Sequence, residues 1–254
     1  TICVSNSMRQ VLQDLRSGSL VVDQVPAPGN FDEHVIIRTE SSLISSGTEK
    51  MLREFGKAGY FGKAKQQPEK VDQAIRKIRT DGIWSTYAAI SAKLDEALPL
   101  GYSNVGTVVE SAFDGLEVGD RVVSNGFHAD VVRVPGNLCA AIPGPVSNEH
   151  AAFTVVGAVA LQAVRLIDPT LGEKIGVIGV GLVGQLCSQI LRANGCAVLA
   201  ADISDYKCKL AKELGATTVS SADHQLLSEA ACHLSSGHGL DGVIIAASSS
   251  SKDV

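Results

Sequence analysis

The chain carries the stretch Ile175-Gly-Val-Ile-Gly-Val-Gly-Leu-Val-Gly184, and this stretch decides its fold. It opens with an apolar run typical of a buried strand and continues into three glycines spaced Gly-x-Gly-x-x-Gly. A second apolar run at 196–201 ends in Asp202, 18 residues after the last glycine. A strand, a glycine-rich turn, a helix and a second strand in this order predict a βαβ unit of a parallel sheet.

Each glycine has its own task if the turn binds a dinucleotide. Gly179 permits the tight turn, Gly181 lets the backbone approach a pyrophosphate, and Gly184 lets the helix pack closely on the strand. The pyrophosphate is expected on the N–H groups at the start of the helix, at Leu182 and Val183.

The acid after the second strand indicates which dinucleotide binds. Asp202 is expected to accept hydrogen bonds from the ribose hydroxyls and to repel a 2′-phosphate, which favours NAD(H) over NADP(H). Lys207 lies about one helical turn further on and supplies positive charge, so NADP stays an alternative. The competing interpretation is a non-binding crossover with a glycine-rich turn, which explains the glycines and leaves Asp202 a coincidence.

The composition excludes some classes of partner. The net charge of −5 and the pI near 5.7 argue against nucleic-acid binding, which needs a basic face. No apolar run approaches the roughly 20 residues that span a bilayer, so no membrane segment is expected. Residues 1–7 lack the features of a signal peptide, and Met8 is a plausible natural start. Six cysteines occur singly, which favours reduced thiols and a cytoplasmic protein.

The pattern along the chain predicts an α/β protein of two domains. Residues 1–149 form a β-rich, barrel-like domain, interrupted by a helical insert at about 50–98 that is rich in Lys, Glu and Gln. Its strands are expected at 8–13, 20–25, 34–39, 105–109 and 131–134. Residues 150–254 begin within a helix at 149–166 and continue as a doubly wound parallel sheet. About four of the usual six strands are present, so this sheet is expected to be truncated at its C-terminal side.

Three further motifs connect the first domain with a known family. They are Ser45-Ser-Gly-Thr-Glu49, Gly101-Tyr-Ser-Asn-Val-Gly106 and Val118-Gly-Asp-Arg-Val122. Together with the glycine-rich turn they resemble the medium-chain dehydrogenase/reductase superfamily, the zinc alcohol dehydrogenases and their relatives. The resemblance implies a GroES-like substrate domain followed by an NAD(P)-binding Rossmann domain.

A narrower resemblance rests on residues 43–52 and 100–106. These segments are similar to the dehydrogenase-like half of two-domain bacterial oxidoreductases found with surface-polysaccharide genes. That resemblance implies a sugar-linked small-molecule substrate. It also implies a fused second oxidoreductase domain as a partner, while a homo-oligomer stays an alternative.

The zinc ligands of the family are replaced in this chain. Where the zinc enzymes have a cysteine, a histidine and a further cysteine or aspartate, this chain has Ser46, Tyr102 and the segment 154–156, Thr-Val-Val. These side chains cannot replace thiolate and imidazole ligands in a tetrahedral site. The four-cysteine lobe that binds structural zinc is also missing, since only Cys139 lies near that region. The prediction is therefore a zinc-lacking branch of the family, with no metal site.

Four residues are candidates for the chemistry that zinc would otherwise perform. By the resemblance, Tyr102 and Glu49 lie next to the reaction, and Thr48 corresponds to the residue that relays a proton. A tyrosine hydroxyl can donate a hydrogen bond to a developing alkoxide, and His128 can exchange a proton near neutral pH. Each has a plainer alternative: Tyr102 as a space-filling side chain, Glu49 as a helix cap, and His128 as a hydrogen-bonded loop residue.

The leading hypothesis for function is a zinc-independent, NAD-linked oxidoreductase that transfers a hydride between nicotinamide and a carbonyl or alcohol carbon. By the narrower resemblance, the substrate is an intermediate of polysaccharide biosynthesis. Two alternatives stay open. One is a nucleotide-binding regulatory or scaffold module without catalysis, and the other is a zinc-free quinone or enoyl reductase.

Overall fold

The computed structural model describes residues 6–14, 17–45, 47, 49, 97–220 and 223–247. Two compact units divide the chain, Thr1–Phe153 and Thr154–Val254. In the described part of the chain, no helix is both long enough and apolar enough to cross a membrane.

The first unit is built from antiparallel strands in two sheets. The strands are β1 (Ser7–Asp14), β2 (Leu20–Pro26), β3 (His34–Ser42), β4 (Ala97–Pro99), β5 (Asn104–Ser111), β6 (Arg121–Ser124), β7 (Val131–Pro135) and β8 (Cys139–Ala141). One sheet has the order β2-β1-β4 and the other has the order β7-β3-β5-β6-β8. A short helix α1 (Asn148–Ala151) follows them.

Apolar side chains of the five-stranded sheet form the core of this unit. Val35 and Ile37 of β3 are fully buried and pack with Val108, Val122 and Val132 from neighbouring strands. Branched aliphatic residues suit such a pleated surface, where cross-strand neighbours pack against one another. The strands predicted at 8–13, 20–25, 34–39, 105–109 and 131–134 are all present in the two sheets, and each is extended by one to three residues.

The predicted helical insert at about 50–98 lies outside the described residues except at its end. There the prediction is wrong, because Ala97 and Leu98 belong to strand β4. Leu98 pairs with Gln13 across β1, so the backbone is extended at this point rather than helical. A three-residue strand is too short to show a period of its own in the sequence.

The second unit alternates helices and strands around a parallel sheet, in which the strands Thr217–Val219, Ala197–Ala201, Lys174–Ile178 and Gly242–Ile245 lie side by side in this order. Its elements are α2 (Thr154–Ile167), β9 (Lys174–Ile178), α3 (Leu182–Ala193), β10 (Ala197–Ala201), α4 (Asp205–Glu213), β11 (Thr217–Val219), α5 (His224–Leu234) and β12 (Gly242–Ile245). The order reverses at β9, which has β10 on one side and β12 on the other. This is the type of position where doubly wound sheets bind ligands.

Continuous apolar runs explain the centre of this sheet, because strands of a parallel sheet are covered on both faces. Ile175 and Val177 of β9 are fully buried, as is Leu191 of α3. The predicted helix at 149–166 is in fact two helices, α1 and α2, separated by a turn at Ala152 and Phe153. The apolar spacing continues through that turn, so the sequence did not show the break.

Candidate functional site

The glycine-rich turn directly follows β9 and contains a residue that only glycine suits. Gly179 has φ +87°, in the left-handed region, and a Cβ there would lie 2.5 Å from the backbone nitrogen of Ala247. Its own N–H donates to the carbonyl oxygen of Ala201, at the end of β10, over 2.7 Å. The turn is therefore anchored between the ends of two neighbouring strands.

The other two glycines differ in their surroundings. A Cβ on Gly184 would lie 2.0 Å from the carbonyl oxygen of Gly179, so α3 packs directly on the turn. Around Gly181, by contrast, no atom lies within 4 Å of the position of a Cβ. Gly181 is the N-cap of α3, and no side chain caps the helix through a hydrogen bond. The first N–H groups of the helix, at Leu182 and Val183, have no intrahelical partners and suit an anionic group.

Asp202 lies at the end of β10 and turns its carboxylate towards this loop. Its Oδ2 accepts a hydrogen bond from the backbone N–H of Val180 at 3.1 Å, and its Oδ1 accepts one from Ser204 at 3.0 Å. The Asp202 side chain is only 6% exposed. The structure therefore brings Asp202 and the glycines together, as expected if all of them bind one ligand.

Lys207 joins the same group from α4. Its Nζ lies 3.2 Å from Oδ2 of Asp202, and the lysine side chain is 45% exposed. The other two partners of the carboxylate are backbone N–H groups that the fold holds in place. Lys207 is thus the partner that a ribose hydroxyl can displace or share. Its positive charge also offsets part of the charge with which Asp202 repels a 2′-phosphate.

Gln185, on the first turn of α3, was missed in the sequence analysis. It is 8% exposed, and its Nε2 donates to the carbonyl oxygens of Val180 at 3.2 Å and Lys207 at 2.9 Å. A signal was present, since α3 buries Gln185 together with Ser188 and Leu191 at helical spacing. An amide on the buried face of a helix needs hydrogen-bond partners, so it points to a specific contact.

A second polar cluster lies in the first unit, around His128. Its backbone N–H donates to the carbonyl oxygen of Leu100 at 2.8 Å, and its carbonyl accepts from Val11 at 2.9 Å. Its ring is also held on both sides. Nδ1 lies 2.8 Å from the hydroxyl of Ser42, and Nε2 lies 3.2 Å from Oε1 of Glu49. With 9% exposure, His128 is a buried loop residue, and its hydrogen bonds also agree with the plainer alternative.

The tautomer that a neutral His128 adopts follows from its hydrogen-bond partners. An ionised carboxylate only accepts hydrogen bonds, and Oε1 of Glu49 also accepts one from the backbone N–H of Ser45 at 2.9 Å. Nε2 of a neutral His128 therefore carries the proton, and Nδ1 accepts from the hydroxyl of Ser42. A hydroxyl, an imidazole and a carboxylate joined in this way can take up and pass on a proton.

The other predicted catalytic residues are placed differently. Tyr102 is half-buried and takes part in neither of the two side-chain hydrogen bonds that join Ser42, His128 and Glu49. Thr48 lies outside the described residues. Ser42 was missed because its hydroxyl, at the end of an ordinary strand, gives no signal in the sequence.

The donor set of the described residues does not fit a zinc ion. These residues include no group of three or more His, Cys, Asp or Glu side chains that could hold a metal. His128 and Glu49 are bound to each other, whereas a tetrahedral zinc site needs three or four convergent ligands. The absence of zinc stays a prediction.

Comparison with known proteins places this geometry in context. Residues 183–252 match the family model described as zinc-binding dehydrogenase. An alcohol dehydrogenase from Geobacillus stearothermophilus is 28% identical over 205 residues, which cover 65% of this chain and 60% of that protein. A second alcohol dehydrogenase from the same organism is 32% identical over 101 residues, or 39% of this chain and 30% of the relative. The chain therefore spans less than two thirds of the length of these curated relatives.

Solved structures show the same fold. Alcohol dehydrogenase TADH from Thermus sp. ATN1 superposes with a TM-score of 0.72 at 18% identity, covering 95% of this chain and 71% of that chain. A protein described as a short chain alcohol dehydrogenase from E. coli CFT073, complexed with the cofactor NADH, gives a TM-score of 0.71 at 17% identity, covering 96% and 71%.

These matches show that the chain is similar to zinc-binding dehydrogenases over residues 183–252 and to an alcohol dehydrogenase over 205 residues. The solved structures confirm the predicted fold class, a GroES-like β-rich unit followed by a Rossmann sheet. The matched family segment begins at residue 183. It therefore lies after Ser46, Tyr102 and Val155, and its zinc-related name carries no information about those three positions.

Proposed function

We propose that this protein is an NAD-linked oxidoreductase that transfers a hydride between nicotinamide and a carbonyl or alcohol carbon without using zinc. The observation that carries the proposal is the turn from Gly179 to Gly184, open at Gly181 and faced by the carboxylate of Asp202. A non-binding crossover does not require an open glycine at a helix N-cap together with a nearly buried acid at the next strand end.

The residues of the second unit suit the two polar parts of a dinucleotide. The N–H groups of Gly181, Leu182 and Val183 would hold the pyrophosphate, because the helix start carries partial positive charge. Asp202 and Lys207 would hold the adenosine ribose, with Lys207 moving to make room for a hydroxyl. When bound, the nicotinamide supplies the hydride chemistry.

The cluster around His128 would take up the proton that is released when the substrate alcohol is oxidised. Oxidation of an alcohol releases a proton, and a base that is held in position accelerates this step. His128 is oriented by Glu49, and its Nδ1 faces the hydroxyl of Ser42. Tyr102 and Thr48 remain proposed partners of the substrate oxygen.

The remaining proposals rest on the resemblance. The substrate is proposed to be a sugar intermediate of polysaccharide biosynthesis in the cytoplasm. A fused second oxidoreductase domain or a homo-oligomer would complete the assembly. A quinone or enone substrate belongs in the same screen, because zinc-free reduction of an activated double bond uses the same cofactor site.

Calorimetric titration of the purified protein with NADH and then NADPH tests the proposal. We expect NADH to bind more tightly, and an Asp202→Ala variant to lose this affinity or shift towards NADPH. Asp205→Ala is the matched control, since Asp205 is an exposed carboxylate three residues further on, at the start of α4. If the wild-type protein binds neither nucleotide, the oxidoreductase proposal fails.

Turnover then separates catalysis from binding alone. NADH oxidation is followed with aldehydes, ketones, quinones and enones, for the wild-type protein and for His128→Gln. Loss of rate in the variant with unchanged NADH affinity would support the proton role of His128. Tight NADH binding without turnover on any substrate would instead favour a regulatory nucleotide-binding module.

A further inference from the structure

The peptide groups of Val180 are held from two sides. Val180 is the middle residue of Gly179-Val180-Gly181 and is fully buried. Its N–H donates to Oδ2 of Asp202 at 3.1 Å, and its carbonyl oxygen accepts from Nε2 of Gln185 at 3.2 Å. Both polar groups of this residue thus have side-chain partners, one from the end of β10 and one from α3.

Gln185 uses both N–H bonds of its amide in this way. The second one donates to the carbonyl oxygen of Lys207 on α4 at 2.9 Å. Lys207 in turn contacts Asp202 through Nζ at 3.2 Å. The four residues Val180, Gln185, Lys207 and Asp202 therefore form a closed ring of hydrogen bonds. The ring joins the glycine-rich turn with the residues proposed to hold the ribose.

The amide orientation of Gln185 follows from these partners. Two carbonyl oxygens face its nitrogen, and only an NH₂ group can donate to both. Its oxygen Oε1 is buried and has no hydrogen-bond partner among the described residues. Neighbouring buried positions of α3 hold Cys187 and Leu191, so an apolar side chain would suit packing at this depth. A buried acceptor without a partner opposes folding, which indicates that the two donated hydrogen bonds serve another purpose.

We propose that Gln185 is a positioning residue that holds the glycine-rich turn in the conformation that binds a pyrophosphate and couples this turn to Lys207. The inference rests on the proposed dinucleotide site. A loop already held in its binding conformation loses less conformational freedom when the ligand arrives, so affinity rises without any direct contact to the ligand. Gln185 thus acts through Val180 and Lys207.

Hydrogen exchange and calorimetry on four proteins test this role, with thermal unfolding as a check of stability. The proteins are the wild type, Gln185→Met, Gln185→Glu and the control Gln189→Met, which changes an exposed glutamine one turn further along the same helix. Amide hydrogen exchange of the free proteins reports whether residues 178–184 are held in place. Calorimetry with NADH and with ADP reports affinity, and thermal unfolding reports stability.

We expect Gln185→Met to raise exchange in 178–184 and to weaken NADH and ADP by about tenfold or more, since two hydrogen bonds of ordinary strength are lost. Gln185→Glu should bind NADH and ADP more weakly still, because its carboxylate repels both carbonyl oxygens and Asp202. Gln189→Met should match the wild type in both measurements. If Gln185 only fills space, Gln185→Met should instead lie close to the wild type in both exchange and affinity.

Wild-type exchange and affinity in Gln185→Met would overturn the proposal. Failure of both Gln185 variants to fold would overturn it too, because the residue would then serve stability. If the wild type binds no nucleotide, the proposed function fails and the positioning role fails with it. If the wild type binds NADH and Gln185→Met shows raised exchange but unchanged NADH affinity, the positioning role alone is refuted.

Discussion

Alanine at two glycines of the same turn should separate folding from ligand binding. At Gly184 a Cβ would lie 2.0 Å from the carbonyl oxygen of Gly179, against 3.4 Å for ordinary contact. The helix must therefore move away from the turn by about 1.4 Å. The opposing atom belongs to the backbone, so rotation of a flexible side chain cannot relieve the clash. Overpacking of this kind costs up to about 3 kcal/mol, which lowers the melting temperature by roughly 6–12 °C.

At Gly181 the same substitution meets no atom within 4 Å, and φ is −70°, which alanine adopts readily. Only the poorer N-cap propensity of alanine opposes it, at no more than about 1 kcal/mol. The added methyl group would, however, occupy the side from which a pyrophosphate approaches. We therefore expect Gly181→Ala to melt near the wild-type temperature and to bind NADH at least about tenfold more weakly, a difference near 1.4 kcal/mol.

Thermal unfolding followed by circular dichroism, together with NADH calorimetry, provides the comparison. Gly157→Ala in α2 is the control, since it too meets no atom within 4 Å and should be stabilised by about 0.5–1 kcal/mol. A Gly184→Ala protein as stable as the wild type would refute the close packing of α3 on the turn. A Gly181→Ala protein with normal NADH affinity would refute the assignment of the open side to the pyrophosphate.

Two further predictions concern ionisable groups. The hydrogen-bonded guanidinium of Arg9 lowers the pKa of Asp130 below its usual 3.8, so this pair should add stability above about pH 4 and lose it as pH falls through the lowered value. Arg9→Ala should thus lower the melting temperature at pH 7 by no more than about 2 °C, since the pair is exposed and screened, and by less as the pH falls through the lowered pKa. A larger loss at acid pH would contradict this sign. Burial raises the pKa of the Cys139 thiol to about 11, so iodoacetamide at pH 8 should label the exposed Cys232 and leave Cys139 unlabelled, as mass spectrometry of the peptides would show. Equal labelling of the two thiols would contradict the burial of Cys139.

Long patterns in the sequence were sufficient to predict the parallel sheet. Each of these patterns, the apolar runs of β9 and β10 and the glycine spacing between them, lies within a short stretch of sequence. They can therefore be recognised from the sequence alone. The short strand β4 depends instead on pairing with β1, more than 80 residues earlier, and was assigned to the helical insert. Local patterns reveal elements that are stabilised locally, and they miss those that a distant partner creates.

The candidate site shows the same division. Asp202 and the glycines were identified because their roles require fixed positions relative to one strand and one helix. Ser42 and Gln185 were missed because each also contacts a residue on another element, His128 for Ser42 and Lys207 for Gln185. His128, for example, is 86 residues from Ser42 and 79 from Glu49. A serine at a strand end acquires a chemical role only when the fold brings an imidazole to it.

The proposed preference for NAD also depends on a contact between residues that are not neighbours along one strand or helix. From the sequence, Asp202 appears as a single negative charge that repels a 2′-phosphate. In the structure its carboxylate already accepts two backbone hydrogen bonds and contacts the ammonium of Lys207. The charge that a 2′-phosphate meets is therefore that of a pair rather than of an isolated acid, and Lys207 is exposed enough to turn towards the phosphate. In the proposed site, discrimination between the two cofactors would depend on how firmly Asp202 retains Lys207. Gln185 would influence this through its hydrogen bond to the carbonyl oxygen of the same lysine.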